Sequence, residues 1–207
     1  MKYIFVAGAP GSKWSSVVKN IYYSPSIDRS DYRDKWTYYH DASGKRELMH
    51  LGAYFDPGME SNLPENINEH SREDLEAIFN APFAAQSQGI RIIKSHIFSN
   101  HVSYLRATFP EVPIVLVHRG DDACLGWWVK CGHFDITYPD YAEYYQDLKT
   151  MAVKIKQQNQ GIVSASLTYP GQHPLTNQQL ARMLGIEVPP EEYQQNYGAS
   201  DVRVTVI

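Results

Sequence analysis

The sequence predicts an α/β fold, a central and mostly parallel sheet of about four to five strands flanked by helices. Three observations predict it. Runs rich in β-branched and aromatic residues alternate with segments of helical period, strand then helix, repeatedly along the first two thirds of the chain. The run Pro113-Ile114-Val115-Leu116-Val117 is short and continuously apolar, as a parallel strand covered on both faces requires. The run Tyr3-Ile4-Phe5-Val6-Ala7 feeds a turn rich in Gly, Pro and Ser and then a helical pattern, the layout of a strand, a tight loop and a helix start.

Taken in order, residues 2–7 read as a buried strand and 14–23 as the helix after the loop. Residues 24–70 are less regular. Within them Trp36–His40 and Glu47–Phe55 read as two strands around the turn Asp41–Lys45, and Asp56-Pro57-Gly58 breaks the chain. Ser71 followed by Asp74 is an N-cap signature that opens a helix over 72–88, stopped by Gly89. Ile90–Lys94 is a second strand, and Ser99 is placed to cap a helix through Phe109, closed by Pro110. Pro113–Val117 is the third strand, a helix follows from Asp121 to Cys131, and 139–159 reads as one long polar helix. Ile162–Leu167 reads as a fourth strand. Thr176 and Gln179 form a capping-box pattern opening a helix to Leu184 with Gly185 as its stop, and Val202–Ile207 is a short β-prone run. Residues 1–207 are expected to form a single domain, with 24–70 as an irregular insertion able to border a substrate pocket.

The net charge of −4 argues against broad nucleic-acid binding, although a local basic pocket is compatible with it. No apolar run approaches the roughly 20 residues needed to span a bilayer, so no membrane association is expected. The N-terminal apolar run reads as a strand rather than a signal peptide. Cys124 and Cys131, seven apart in a helical pattern, lie about 10 Å apart along the axis, too far for a disulfide. They are also a poor metal pair, no metal site is expected, and a reducing, cytoplasmic setting fits. The 15 Tyr and 4 Trp supply large rings to fill a core or line a cleft.

In open α/β sheets ligands bind beyond the carboxyl ends of the strands, and three such ends carry polar chemistry. The first is the loop Gly8-Ala9-Pro10-Gly11-Ser12-Lys13-Trp14-Ser15-Ser16. Its glycines permit close backbone approach, its serines offer donors, Lys13 offers a charge, and the helix start adds amides and a dipole, together an anion cradle. The Walker pattern needs Gly, four residues, then Gly-Lys-Ser/Thr; here Ser12 precedes the lysine and Trp14 follows it. The second is Lys94-Ser95-His96, where a histidine is placed as a general base and a lysine as a stabiliser of negative charge. The third is His118-Arg119-Gly120-Asp121-Asp122: Arg119 suits a bidentate phosphate contact, or pairs with the aspartates, which suit a helix start.

In this order the three segments resemble the sulfotransferases that use 3′-phosphoadenosine 5′-phosphosulfate (PAPS). The family's first loop typically reads Pro-Lys/Arg-Ser-Gly-Thr-Thr, against Pro10-Gly11-Ser12-Lys13-Trp14-Ser15 here. Its Lys-Thr-His corresponds to Lys94-Ser95-His96, and its strand followed by Arg to Ile114–Val117 and Arg119. The segment Leu180-Ala181-Arg182-Met183-Leu184-Gly185-Ile186 is similar to the C-terminal helix of many members. The resemblance implies a P-loop-like three-layer sandwich and transfer of a sulfuryl group from PAPS to a hydroxyl acceptor, a small molecule or carbohydrate. It implies that the Gly8–Ser16 loop holds the 5′-phosphosulfate and Arg119 the 3′-phosphate. It further implies that His96 takes the acceptor's proton, with Lys94 and Lys13 near the sulfuryl group and no metal. The family's loop cation position is Gly11 here, with Lys13 on its usual glycine. The family's serine for the 3′-phosphate is missing, with Gly126 or Trp127 in its place; Trp127 is counted among the cofactor-binding residues, and the sequence does not rule in Ser103, Lys130 or backbone groups as a substitute. Two alternatives stay open. One is a P-loop kinase using Mg-ATP, with Lys13 on the phosphates and Asp121 or Asp122 near the metal. The other is a non-catalytic nucleotide-binding module on the same fold.

Overall fold

Tyr3–Gly8 (β1) is buried along its whole length, and its alternating side chains serve two separate cores. Ile4 and Val6 join the first core, with Trp14, Val17, Val18 and Ile21 of the helix Trp14–Tyr22 (α1). Tyr3, Phe5 and Ala7 join the second, where Phe5 packs its ring edge-on against Phe79 and Phe109 at centroid distances of 5.5 and 5.2 Å. Each such ring removes enough apolar area from water to contribute about 1.5–3 kcal/mol.

The computed structural model describes residues 2–31, 39–40, 47–48, 51–56, 63–130, 141–166, 175–193 and 201–207. Beyond β1 and α1, a two-stranded antiparallel ladder pairs Tyr39–His40 (β2) with Glu47–Leu48 (β3). Then follow Ala53–Tyr54 (β4), the helix Arg72–Asn80 (α2), Arg91–Lys94 (β5), a 3₁₀ turn Ile97–Asn100 and Val102–Thr108 (α3). Ile114–Arg119 (β6), Asp121–Lys130 (α4), Tyr141–Tyr145 (α5), Leu148–Ser166 (α6), Asn177–Leu184 (α7) and Val202–Val206 (β7) complete the described elements. The main sheet has the order β4-β5-β1-β6-β7, parallel from β4 to β6, with β7 antiparallel on the edge. The chain leaves β1 for β4 and β5 on one side and then crosses to β6 on the other, so the reversal of strand order falls at the carboxyl end of β1.

The expected α/β class with a mostly parallel central sheet is the observed one, and the two cores give the sheet a covered face on either side. Several element boundaries differ from expectation. The strand expected from Ile162 is not formed over its described part: Ile162 to Ser166 continue α6, and Met151, Ile155, Gln158, Asn159 and Ile162 recur at helical spacing on its buried side. The single helix over 139–159 is two, because Gln146 takes a left-handed conformation (φ 60°) and Asp147 caps a fresh start by accepting from the Thr150 amide at 2.7 Å. The helix begun at Ser71 stops at Asn80, ahead of Pro82, which lacks the N–H a helix needs. Ser99 does not cap: it sits inside the 3₁₀ turn, and α3 starts after His101. The Glu47–Phe55 strand divides into β3 and β4. The Ser71–Asp74 and Thr176–Gln179 capping boxes form as read, as does the left-handed stop at Gly185 (φ 65°). Trp36–Tyr38, the turn Asp41–Lys45, Pro57-Gly58, Cys131, residues 139–140 and Leu167 lie outside the described residues. No helix among the described residues is long and apolar enough to cross a membrane.

The helix α6 approaches the 3₁₀ turn so closely at Gly161 that a Cβ there would lie 2.1 Å from the Ser99 carbonyl oxygen. Gly161→Ala is therefore expected to destabilise the fold by about 1–3 kcal/mol, overpacking outweighing alanine's helix propensity. A thermal melt checks it: the midpoint should fall by several degrees, whereas a gain would show the contact to be slack.

Candidate functional site

Register staggers the strand ends along one edge of the sheet. Val6 pairs with Lys94 and Gly8 with Val117, so β5 ends beside the loop after β1 while β6 runs two residues past it to Arg119. The loop is held tightly from behind. Gly11 has φ 80°, and a Cβ there would lie 2.0 Å from the Cys124 carbonyl oxygen of α4. The Ser12 amide closes the turn on the Ala9 carbonyl at 3.0 Å. Lys13 is the N-cap of α1, left-handed at φ 64°, and its side chain makes no cap hydrogen bond. A lysine has no acceptor to offer the first-turn amides, so α1 opens without the usual side-chain cap. The Ser12 hydroxyl is fully buried and has no hydrogen-bond partner among the described residues.

Two clusters flank this loop. The inner one is dry. The Trp14 indole stacks on the His96 imidazole at 4.0 Å between centroids and 18° between planes, and Tyr54 meets both rings edge-on. His96 is 3% exposed; its Nδ1 contacts the Gly8 carbonyl and its Nε2 lies 3.7 Å from Asp56 Oδ2. Asp56, fully buried, accepts from the Tyr54 hydroxyl (2.8 Å), the Ser95 hydroxyl (2.9 Å) and the His96 amide (2.9 Å). Burial pushes its carboxyl well above the usual range against these donors. Lys94 is buried completely, and its ammonium finds no hydrogen-bond partner among the described residues. It lies 5.5 Å from the Trp14 ring centroid and 5.7 Å from that of Tyr54. Burial draws its pKa down to about 7, with the Asp31 charge acting against the shift. Asp31 itself is pushed up to about 6 by burial, and accepts from the Tyr22 hydroxyl at 3.1 Å. Burial, seconded by the Lys94 charge, lowers the His96 imidazole to about 3 despite the Gly8 contact, so the ring is neutral.

The outer cluster is basic and centred on Trp127. Lys13 Nζ lies 4.4 Å, Lys130 Nζ 5.5 Å and Arg119 Cζ 5.9 Å from its ring centroid. Arg119 donates from Nη1 to the Gly11 carbonyl at 3.1 Å and from Nε to Asp201 at 2.7 Å. Its carboxylate partner is thus Asp201, on the approach to β7, rather than the neighbouring aspartates: Asp121 accepts instead from Asn159 at 2.7 Å. Ser103 lies elsewhere, lining a depression of about 240 Å³ between α3 and α6 with Ser99, Gly161 and Ser164. Cys124 is buried, and burial raises its thiol to about 12.

The fold therefore brings together the loop, Trp14, Lys94 and His96 on the inner side, and Lys13, Arg119 and Trp127 on the outer side. Ser16 is exposed on α1, where its carbonyl accepts from the Asn20 side chain, Nδ2, at 3.2 Å. Sequence reasoning missed Tyr54, Asp56, Asp31 and Asp201. Asp56 reads as a chain break beside Pro57, yet it directly follows a β-prone run, and a carboxylate at a strand's carboxyl end is a signal for a site. Among the described residues no group of three or more His, Cys, Asp or Glu side chains is placed to hold a metal ion. No protein-family model, curated protein or solved structure matches the chain.

A lysine pKa near 7 in the folded state, against an ordinary value of 10.5 when unfolded, makes the unfolded chain bind more protons between those limits. Burial of Lys94 therefore costs nothing above pH 10.5, and its cost to stability grows as the pH falls from 10.5 towards 7. Lys94→Met is expected to raise denaturant stability at pH 7, with a gain that shrinks as the pH approaches 10.5. A pH-independent difference between the two proteins would show that Lys94 does not titrate in the fold.

Proposed function

We propose that the chain transfers a sulfuryl group from PAPS to a hydroxyl acceptor. The observation that carries the reading is the bond from Arg119 to the Gly11 carbonyl, which sets a guanidinium against the loop at the switch point of the sheet. A buried, unpartnered Ser12 hydroxyl and a helix start without a side-chain cap fit an anion in that loop.

In this reading the loop Gly8–Ser16 holds the 5′-phosphosulfate, and Arg119 with Trp127 holds the 3′-phosphate end. PAPS supplies the activated sulfuryl group when bound. The chain's part is positioning and charge stabilisation, as in phosphoryl transfer. Lys13 supplies the cation at the loop, Lys94 lies behind it, and His96 takes the acceptor's proton once the Trp14 ring moves off it. Tyr54 and Asp56, the described residues of the 24–70 segment that meet His96, border the acceptor site.

One observation favours a second reading, a nucleotide-binding module without catalysis. His96 is covered by Trp14 and lowered to about 3, which makes it a weak proton acceptor where it stands. Calorimetric titration with adenosine 3′,5′-bisphosphate and with ATP, each with and without Mg²⁺, separates the readings. The bisphosphate is expected to bind tighter than ATP and independently of Mg²⁺; a preference for Mg-ATP would point to a kinase and sink the proposal. Arg119→Ala should weaken the bisphosphate by about 10- to 100-fold, since a charged bidentate partner is lost; unchanged affinity removes Arg119 from the site. His96→Ala should retain binding and lose transfer to a panel of hydroxyl acceptors. Binding with no transfer by the unmodified protein favours the module.

A further inference from the structure

We infer that Lys13, Arg119 and Lys130, gathered around Trp127, form a binding site for a phosphate dianion, in which Asp201 is the resident counter-ion that the ligand displaces. The three cations come from three different places: the loop after β1, the end of β6 and the last turn of α4. All three lie within 6 Å of one indole centroid. Trp127 and Lys130 are three apart on α4 and so share a face. Like charges repel, and the indole face offsets only part of that cost. Among the described residues one carboxylate makes an ion pair within the cluster, Asp201 on Arg119. Among the described residues Lys13 and Lys130 make no ion pair of their own, beside a loop that opens a helix without a side-chain cap.

Asp201 has the properties of a displaceable stand-in. Its side chain is 46% exposed on the approach to β7. Its carboxyl is held low first by the hydrogen bond from Arg119, and the Lys13 charge contributes, so it already feels the field a ligand would feel. A dianion suits the cluster better than a carboxylate: Lys13 and Lys130 add their charges to that of Arg119, and the guanidinium fork donates to two oxygens at once. The inference rests on the nucleotide reading only for the ligand's identity, for which it names Lys130 and Trp127 as the groups that replace the family's serine.

The test is calorimetric titration of the full chain with inorganic pyrophosphate and with adenosine 3′,5′-bisphosphate, in the unmodified protein, Lys130→Gln, Asp201→Asn and Glu73→Gln. Glu73 is an exposed carboxylate on α2, whose buried side faces the other core. Lys130→Gln should weaken pyrophosphate about fivefold or more, Asp201→Asn should tighten it several-fold, and Glu73→Gln should change nothing. Unchanged affinity in Lys130→Gln, weaker binding in Asp201→Asn, or an equal gain in Glu73→Gln overturns the site. Pyrophosphate binding that responds to both variants, with no gain for the bisphosphate, upholds the anion site and removes the nucleotide reading.

Discussion

The rest of the structure depends on β1 having no face turned to water. Every side chain from Tyr3 to Ala7 is fully buried, odd positions on one side of the sheet and even positions on the other. A strand covered on both faces needs a partner on each edge as well, since its backbone groups have no solvent to bond. β5 and β6 supply those partners in parallel register. Covering both faces then requires helices on each, α1 and α7 with one core, α2 and α3 with the other. The loop at the end of β1 thus lies at the carboxyl edge of the sheet, where the candidate site residues collect.

At that edge two environments sit side by side. The inner one removes Lys94, His96 and Asp56 from water and favours their neutral forms. The outer one gathers Lys13, Arg119 and Lys130 around a single indole. Trp14 separates them, one residue after the left-handed Lys13. That conformation is uncommon for a non-glycine residue, and it turns the lysine outward while the tryptophan closes over the histidine. The proposed division of labour, anion binding outside and proton handling inside, follows from this one turn.

Much of this was legible in the sequence because it is written in local patterns. The β-branched runs of β1, β5 and β6 and the capping boxes at Ser71 and Thr176 need no tertiary information. The candidate site was legible to the extent that its residues immediately follow strands: the loop, Lys94-Ser95-His96 and Arg119. Asp56 follows a strand too, but its partner His96 is met only in the fold, and Asp201 has no such local signal because it acts on Arg119, far along the chain. The Ile162–Leu167 error has a different origin. Ile162 and Val163 satisfy a strand and a helix equally well, and only the buried positions before them, from Met151 onward, decide the period.

The helix α6 touches both cores. Met151 and Ile155 belong to one, Ile162 to the other, and Gly161 lets the helix lie against the turn that follows β5. Without such a member, the two faces of a sheet are free to loosen as separate cooperative units. Here one rigid rod of 19 residues is anchored in each, so opening either face withdraws support from the other. The edge that carries the candidate site is thereby braced from both faces of the sheet. Any movement of Trp14 off His96 is then a matter of side-chain rotation within an intact frame.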